Sequence, residues 1–256
     1  VAADAIRKWT REEIILAYAL YCTIPSSKVT IKNQEIINLS KAINRTPASV
    51  KLKLQNFKAY DPQYTSDGRI GLSHGSKLDA EISAEFMQNW DALVVEVNNI
   101  KQRLHVPTDV AEQETSRGFI GYDQFQTRKI RVGQTFFRKA LLSAYNNCCC
   151  ITGLAIPNLL KASHIKPWAV CNDVNEKANP TNGLLLNALF DAAFDAGYIS
   201  VSQAYTVMVS NEITDCPDEY TKAVFSNYKG RLISLPTRFL PDKMYIEYHN
   251  DVIYLG

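Results

Sequence analysis

Three observations predict an α+β protein. Residues 9–104 carry apolar side chains at helical spacing, residues 148–202 switch to a strand–loop–strand–helix order, and short strand-like runs continue to the C-terminus. The expected domains are a helical one over residues 1–104, a linker over 105–127 and a second domain over 128–256. With 256 residues, 46% of them hydrophobic, the chain can bury a real core. The formal net charge is only +2, so any nucleic-acid partner must be met by local basic patches. No run approaches the ~18 apolar residues of a membrane span, and the first residues lack the order of a secretory signal. The expectation is a cytoplasmic protein with no membrane partner. Of the six cysteines, Cys148, Cys149 and Cys150 are consecutive while Cys22, Cys171 and Cys216 are scattered. With no Cys-x-x-Cys pair, structural zinc is not expected, and reduced, buried thiols are.

The first helix opens on a capping box, Thr10 with Glu13 three residues later, followed by Ile14, Ile15, Leu16, Tyr18, Ala19 and Leu20. A second covers Asn33 to Ile43. A third starts at Thr46-Pro47, where Thr46 caps and Pro47 supplies the φ of a first turn. Its apolar residues leave Lys51, Lys53 and Lys58 to project outward. Three short helices of this kind form either a helix-turn-helix that contacts DNA, with Arg45 and Lys51 on phosphate, or an ordinary bundle with a solvated outer face.

Residues 60–74 read as a loop, and 78–104 as one long helix. Residues 105–120 are polar and punctuated by Gly and Pro, which places the domain boundary there. Arg128, Lys129 and Arg131 form the densest basic run, just before a helix expected from about Phe136 to Tyr145. They suit a phosphate backbone better than a solvated helix face.

The chemistry gathers in residues 148–202. His164 ends an apolar strand (Leu159, Leu160, Ala162), where a side chain can emerge into a cleft, and Pro167 and Trp168 then break the strand. Asn182 returns after a polar loop and is placed to hydrogen-bond across it. Gly183-Leu184-Leu185-Leu186 supplies a second strand, and Asn187 caps a helix bearing Asp191 and Asp195, four apart and on one face. Hydrolysing a phosphodiester requires a base for the attacking water, a divalent cation at the scissile phosphate, and a group that orients the base. A histidine, with an ordinary pKa near neutrality, suits the first task. A carboxylate suits magnesium, although Asp195 fits the turn into the next strand better than a metal. Lys161 and Lys166 flank the histidine and can steer phosphate. His74, His105 and His249 have no such context and read as structural or surface residues.

The words CCITGL, ASHIKPW and NGLLLNALFDAAFDAG resemble the ββα-metal finger of HNH endonucleases, in the branch common among restriction and related defence nucleases. The resemblance covers about residues 133–202, with weaker likeness at WTREEIILAYALY and YIEYHNDVIYLG. It implies a C-terminal HNH nuclease domain in which His164 is the general base, Asn182 supports the base and the loop, and Asp191 takes the third motif position as metal ligand. The position before the base, often acidic or histidine in the family, is Ser163, a weaker ligand, with Asn187 or Asp195 as further contributors. The implied activity is DNA phosphodiester hydrolysis with Mg2+ or another divalent cation such as Mn2+, on double-stranded DNA, in restriction or phage defence. A homodimer is left open. The alternative is a DNA-binding regulator or sensor whose finger is catalytically degenerate. Beyond the finger, residues 197–209 predict two strands, Asp218 to Phe225 a short helix, and 232–255 further strand-like pieces.

Overall fold

The computed structural model describes residues 7–66, 75–106, 123–172 and 175–256, with backbone alone at residues 66 and 123–130. The chain forms two compact units: Val1–Ser143 with Asn172–Asn179, and Ala144–Cys171 with Pro180–Gly256. The linker expected at 105–127 falls largely outside the described residues. So does His74. Among the described residues no helix is long and apolar enough to cross a membrane.

In the first unit, α1 (Arg11–Thr23) begins at the predicted capping box: Thr10 Oγ1 accepts from Glu13 N at 3.3 Å, and Glu13 Oε2 from Thr10 N at 3.0 Å. Asn33 caps α2 (Gln34–Ala42), and Thr46 caps α3 (Pro47–Asn56). Ile14, Tyr18, Ile36, Val50, Leu54 and Phe57 close the core between them. The capping side chains satisfy amides that a helix start leaves unpaired, so sequence alone locates these three helices well.

Arg45 departs from expectation. Its side chain is 1% exposed and pairs with Glu13 at 2.8 Å; it donates to the Arg7 and Lys8 carbonyls and lies over the Trp9 ring at 4.2 Å. A guanidinium spent on these partners is not a phosphate contact. Lys53, expected to project outward, is likewise buried, with Nζ 2.8 and 2.9 Å from the two Asp79 carboxylate oxygens. Lys51 remains partly exposed.

The expected loop after residue 60 contains a short helix, α4 (Pro62–Ser66). The single helix expected over 78–104 is two, α5 (Lys77–Met87) and α6 (Trp90–Arg103). Asn89 leaves helical geometry at φ −152° and its Oδ1 accepts from Ala92 N at 3.1 Å; an apolar pattern in phase on both sides hides such a break. The basic run at 128–131 lies inside α7 (Asp123–Ala144), not before it. Arg131 is exposed there, and the Arg128 and Lys129 side chains lie outside the described residues.

In the second unit, β1 (Leu160–His164) pairs antiparallel with β2 (Gly183–Asn187), and α8 (Ala188–Asp195) packs on both strands. β3 (Ile199–Val201) and β4 (Val207–Val209) form a second hairpin. Then follow α9 (Asn211–Thr214), α10 (Glu219–Ser226) capped by Asp218, and α11 (Lys243–Val252). The last corrects the strand expected over MYIEYH: Asp242 caps a helix whose Tyr245, Ile246 and His249 face inward. Leu232 makes only an isolated bridge, with Thr206.

His249 bolts α11 to the finger. Its Nδ1 lies 2.8 Å from Ser200 Oγ and its Nε2 3.1 Å from the Phe194 carbonyl, with the ring stacked on Phe194 at 3.8 Å. Burial lowers its pKa from 6.5 to about 4, opposed in part by the carbonyl bond. Between those values the unfolded chain binds the extra proton, so stability is full above about pH 6.5, falls as pH drops toward 4, and levels below that. The expected loss is roughly 3 kcal/mol. Denaturant titrations from pH 7.5 to 4 on wild type and His249→Phe test this. The variant's curve should lack most of that fall, and two curves of equal steepness would count against it.

Removing one partner of a buried pair strands the other charge. Lys53→Ala, which leaves the fully buried Asp79 carboxylate without its cation, should therefore cost about 3–5 kcal/mol in denaturant midpoint measurements.

Candidate active site

The β1–β2 register places His164 opposite Gly183 and Ser163 opposite Leu184. Leu184, Leu185 and Leu186 are all fully buried, so β2 is an interior strand and β1 its half-exposed partner. His164 is half-buried at the end of β1 and stands edge-on to Trp168, with ring centroids 5.4 Å apart.

Asn182 holds the turn that follows the histidine. Its carbonyl accepts from Ile165 N at 3.0 Å, its Oδ1 accepts from Lys166 N at 2.8 Å, and its Nδ2 donates to the Lys166 carbonyl at 3.1 Å. Nδ2 also lies 3.3 Å from Cys171 Sγ, and that thiol donates to the same Lys166 carbonyl at 3.3 Å. Asn182 has no exposed surface. An amide is the one neutral side chain with both a donor and an acceptor in a fork, which lets it bind the N–H and C=O of a single residue. Cys171 was expected to be a small buried hydrophobe; its hydrogen-bonding role left no mark in the spacing. Trp168 was expected only as a strand breaker.

The predicted cationic residues are placed as follows. Lys161 is exposed on β1, and Lys166 Nζ lies 5.6 Å from the centroid of the Tyr248 ring.

On the ligand side, Asp191 is half-exposed in the first turn of α8, and Asp195 is one turn on. The Asp195 carboxyl is raised above its ordinary pKa, first by burial and then by the charge of Asp191. The two carboxylates therefore feel one another. Asn187 is otherwise engaged: Oδ1 accepts from Leu189 N at 3.1 Å and Phe190 N at 3.0 Å, and Nδ2 donates to Thr152 Oγ1 at 3.0 Å. Capping and bracing use both ends of its amide, so it is not available as a ligand. Ser163 is 4% exposed and its Oγ has no hydrogen-bond partner. Strand alternation turns it to the hairpin face opposite His164.

Residues 149–202 match a family model described as HNH endonuclease. This segment is an HNH domain. No curated protein matches the chain significantly. The matched segment begins within the cysteine triplet, contains β1, the Asn182 clasp, β2 and α8, and ends after β3; α1 to α7 lie outside it.

HNH nucleases use a divalent cation. Among the described residues no three His, Cys, Asp or Glu side chains gather into a metal cage. Magnesium does not need one, since it keeps several waters and is commonly held by one or two carboxylates together with substrate phosphate. Asp191, partly open to solvent and beside a second carboxylate, fits that mode of binding. The enclosed, neutral Ser163 hydroxyl does not.

An orphaned buried hydroxyl carries only a desolvation cost. Ser163→Ala is therefore expected to leave the melting temperature unchanged or raise it, while Asn182→Ala, which abandons buried backbone groups at Lys166, is expected to lower stability by about 2–4 kcal/mol. Thermal melts of the two variants decide; a marked loss of stability in Ser163→Ala means the hydroxyl has a partner after all.

Proposed function

We propose that the chain is a metal-dependent DNA endonuclease whose general base is His164. The observation that carries this reading is the Asn182 clasp. The buried Asn182 side chain engages both polar backbone groups of Lys166 while its own carbonyl accepts from Ile165 N, which ties down the main chain immediately after a histidine that is itself partly open to solvent. A structural histidine would not need that support, whereas a base must be aimed.

In the reaction His164 takes a proton from water as the water oxygen attacks phosphorus. The bond from phosphorus to the leaving sugar oxygen breaks, and that oxygen takes a proton from solvent. Asp191 would hold a divalent cation, which would supply charge neutralisation at the scissile phosphate. Lys161 and Lys166, flanking the base, draw the phosphate backbone in, and Arg131 with Lys51 are further candidates for non-specific contact. The domain division is read as a helical unit presenting DNA to a nuclease unit. A role in restriction or phage defence is carried by the sequence resemblance alone.

One observation favours a second reading, a DNA-binding sensor with a degenerate finger: the sparse donor set, in which Ser163 and Asn187 contribute nothing to a metal. Nicking of supercoiled and phage-derived DNA in Mg2+ or Mn2+ separates the two. Wild type should nick, His164→Ala should be slower by about 10²–10⁴-fold, and Asp191→Ala should require much higher metal concentrations. Should His164→Ala cut as fast as wild type, the base is elsewhere. Binding to DNA without cutting in any divalent cation favours the sensor.

A further inference from the structure

Cys171 is tied to both of the elements that bracket His164. On one side is the clasp. The Asn182 amide is fully buried and carries two N–H groups; Nδ2 donates to the Lys166 carbonyl at 3.1 Å and to Cys171 Sγ at 3.3 Å. The thiol in turn donates to that same carbonyl at 3.3 Å. Amide, carbonyl and thiol therefore close a ring of hydrogen bonds.

On the other side is the turn that carries Trp168, whose ring stands edge-on to the imidazole. The chain makes one helical turn over Trp168–Val170, closed by Val170 N donating to the Pro167 carbonyl at 3.0 Å and by Cys171 N donating to the Trp168 carbonyl at 3.3 Å. The backbone of Cys171 thus fixes the turn beside the histidine, and its side chain fixes the main chain after it. All of these residues belong to the second unit. Cys171 is 8% exposed, so a small apolar side chain would fill the same space. It would also take an acceptor away from a buried amide, which costs more than the bond itself is worth.

We propose that Cys171 is a positioning residue of the active site, whose thiol keeps the Asn182 clasp closed and, through it, fixes the orientation of His164. The inference rests on His164 being the base, as proposed above. The sulfur takes no part in the chemistry. What it supplies is a donor and an acceptor in one small buried side chain, and that separates its role from packing.

The clasp can be followed without any cleavage. Hydrogen exchange at the Lys166 amide, measured by NMR on the full chain, reports whether the clasp opens, and the amides of the β3–β4 hairpin report whether the whole unit does. Cys171→Ala should speed exchange at Lys166 by about tenfold, the equivalent of one lost hydrogen bond, with the hairpin unchanged. The His164 ring signal, assigned by its absence in His164→Ala, should shift and broaden. Single-turnover cleavage at saturating enzyme should slow by about tenfold with half-saturation at the same enzyme concentration. A variant that was only less stable would keep that rate constant. Cys171→Ser, which restores a donor and an acceptor, should recover part of each loss. Unchanged exchange at Lys166 in Cys171→Ala, equal acceleration in the hairpin, or a serine variant worse than the alanine one overturns the proposal, because the thiol would then act by packing. An unmoved His164 signal, or an unmoved single-turnover rate in a chain that cuts, overturns it as well. If wild type cuts no DNA the nuclease reading fails separately, and exchange and the ring signal still decide the role of the thiol. If Cys171→Ala does not fold, Cys171→Val, which fills the space without either bond, takes its place.

Discussion

The finger depends on one buried amide. Between Ile165 and Asn182 the chain leaves the hairpin and returns, and such an excursion has a closure cost that nothing in the loop's polar composition offsets. Asn182 offsets it by binding Ile165 and Lys166 directly, and Cys171 adds a third point from within the loop. These bonds form in an interior of low polarizability, where a satisfied network is rigid and a broken one is expensive. The three leucines that follow lock β2 in register, because a slip of one residue would carry them to the other face. The position of His164 is thus inherited from main-chain geometry.

That arrangement makes the two halves of the site unequal. The half-buried histidine is positioned by buried, hydrogen-bonded groups. The ligand side is a solvent-facing helix turn with two mutually repelling carboxylates, Asp191 and Asp195. Of the other candidate donors, Asn187 is occupied in capping α8 and Ser163 is enclosed on the far face of β1. A cation held at such a site draws much of its affinity from the substrate phosphate. Under the proposed function, metal binding and DNA binding would be linked, each strengthening the other.

Much of this was legible in the sequence where local chemistry decides the outcome. Thr10, Asn33, Thr46 and Asn187 each announce a helix start because a short polar side chain there has one dominant use. The placement of His164 at a strand end and of Asn182 bonding across the loop was legible for a similar reason, since a polar residue at the edge of an apolar run has few other positions to take. The misreadings share a cause as well. Asn89 breaks a helix within a continuous apolar stripe, and MYIEYH alternates at period two although its inward residues follow a helix, so periodicity gave the wrong element in both cases. Arg45 and Lys53 look like surface cations, and only the distant Glu13, Asp79 and Trp9 reveal them as core. No local pattern encodes a partner 26 or 32 residues away.

The burial of those two cations bears on how the chain meets DNA. With Arg45 and Lys53 neutralised inside the first unit, α3 keeps Lys51 as its half-exposed basic side chain, and Lys58 just beyond it leans on the Tyr64 ring at 5.7 Å. A recognition helix needs several exposed side chains that reach base edges or phosphates along one face. Exposed Leu52 on the same helix suits neither purpose. Helix α3 is therefore a poor sequence reader, and the phosphate contacts proposed for this chain rest on Lys161 and Lys166 flanking His164 and on Arg131 of α7. Contacts of that kind are to phosphate and carry no sequence information, so under the proposed function selectivity has to come from somewhere other than α3.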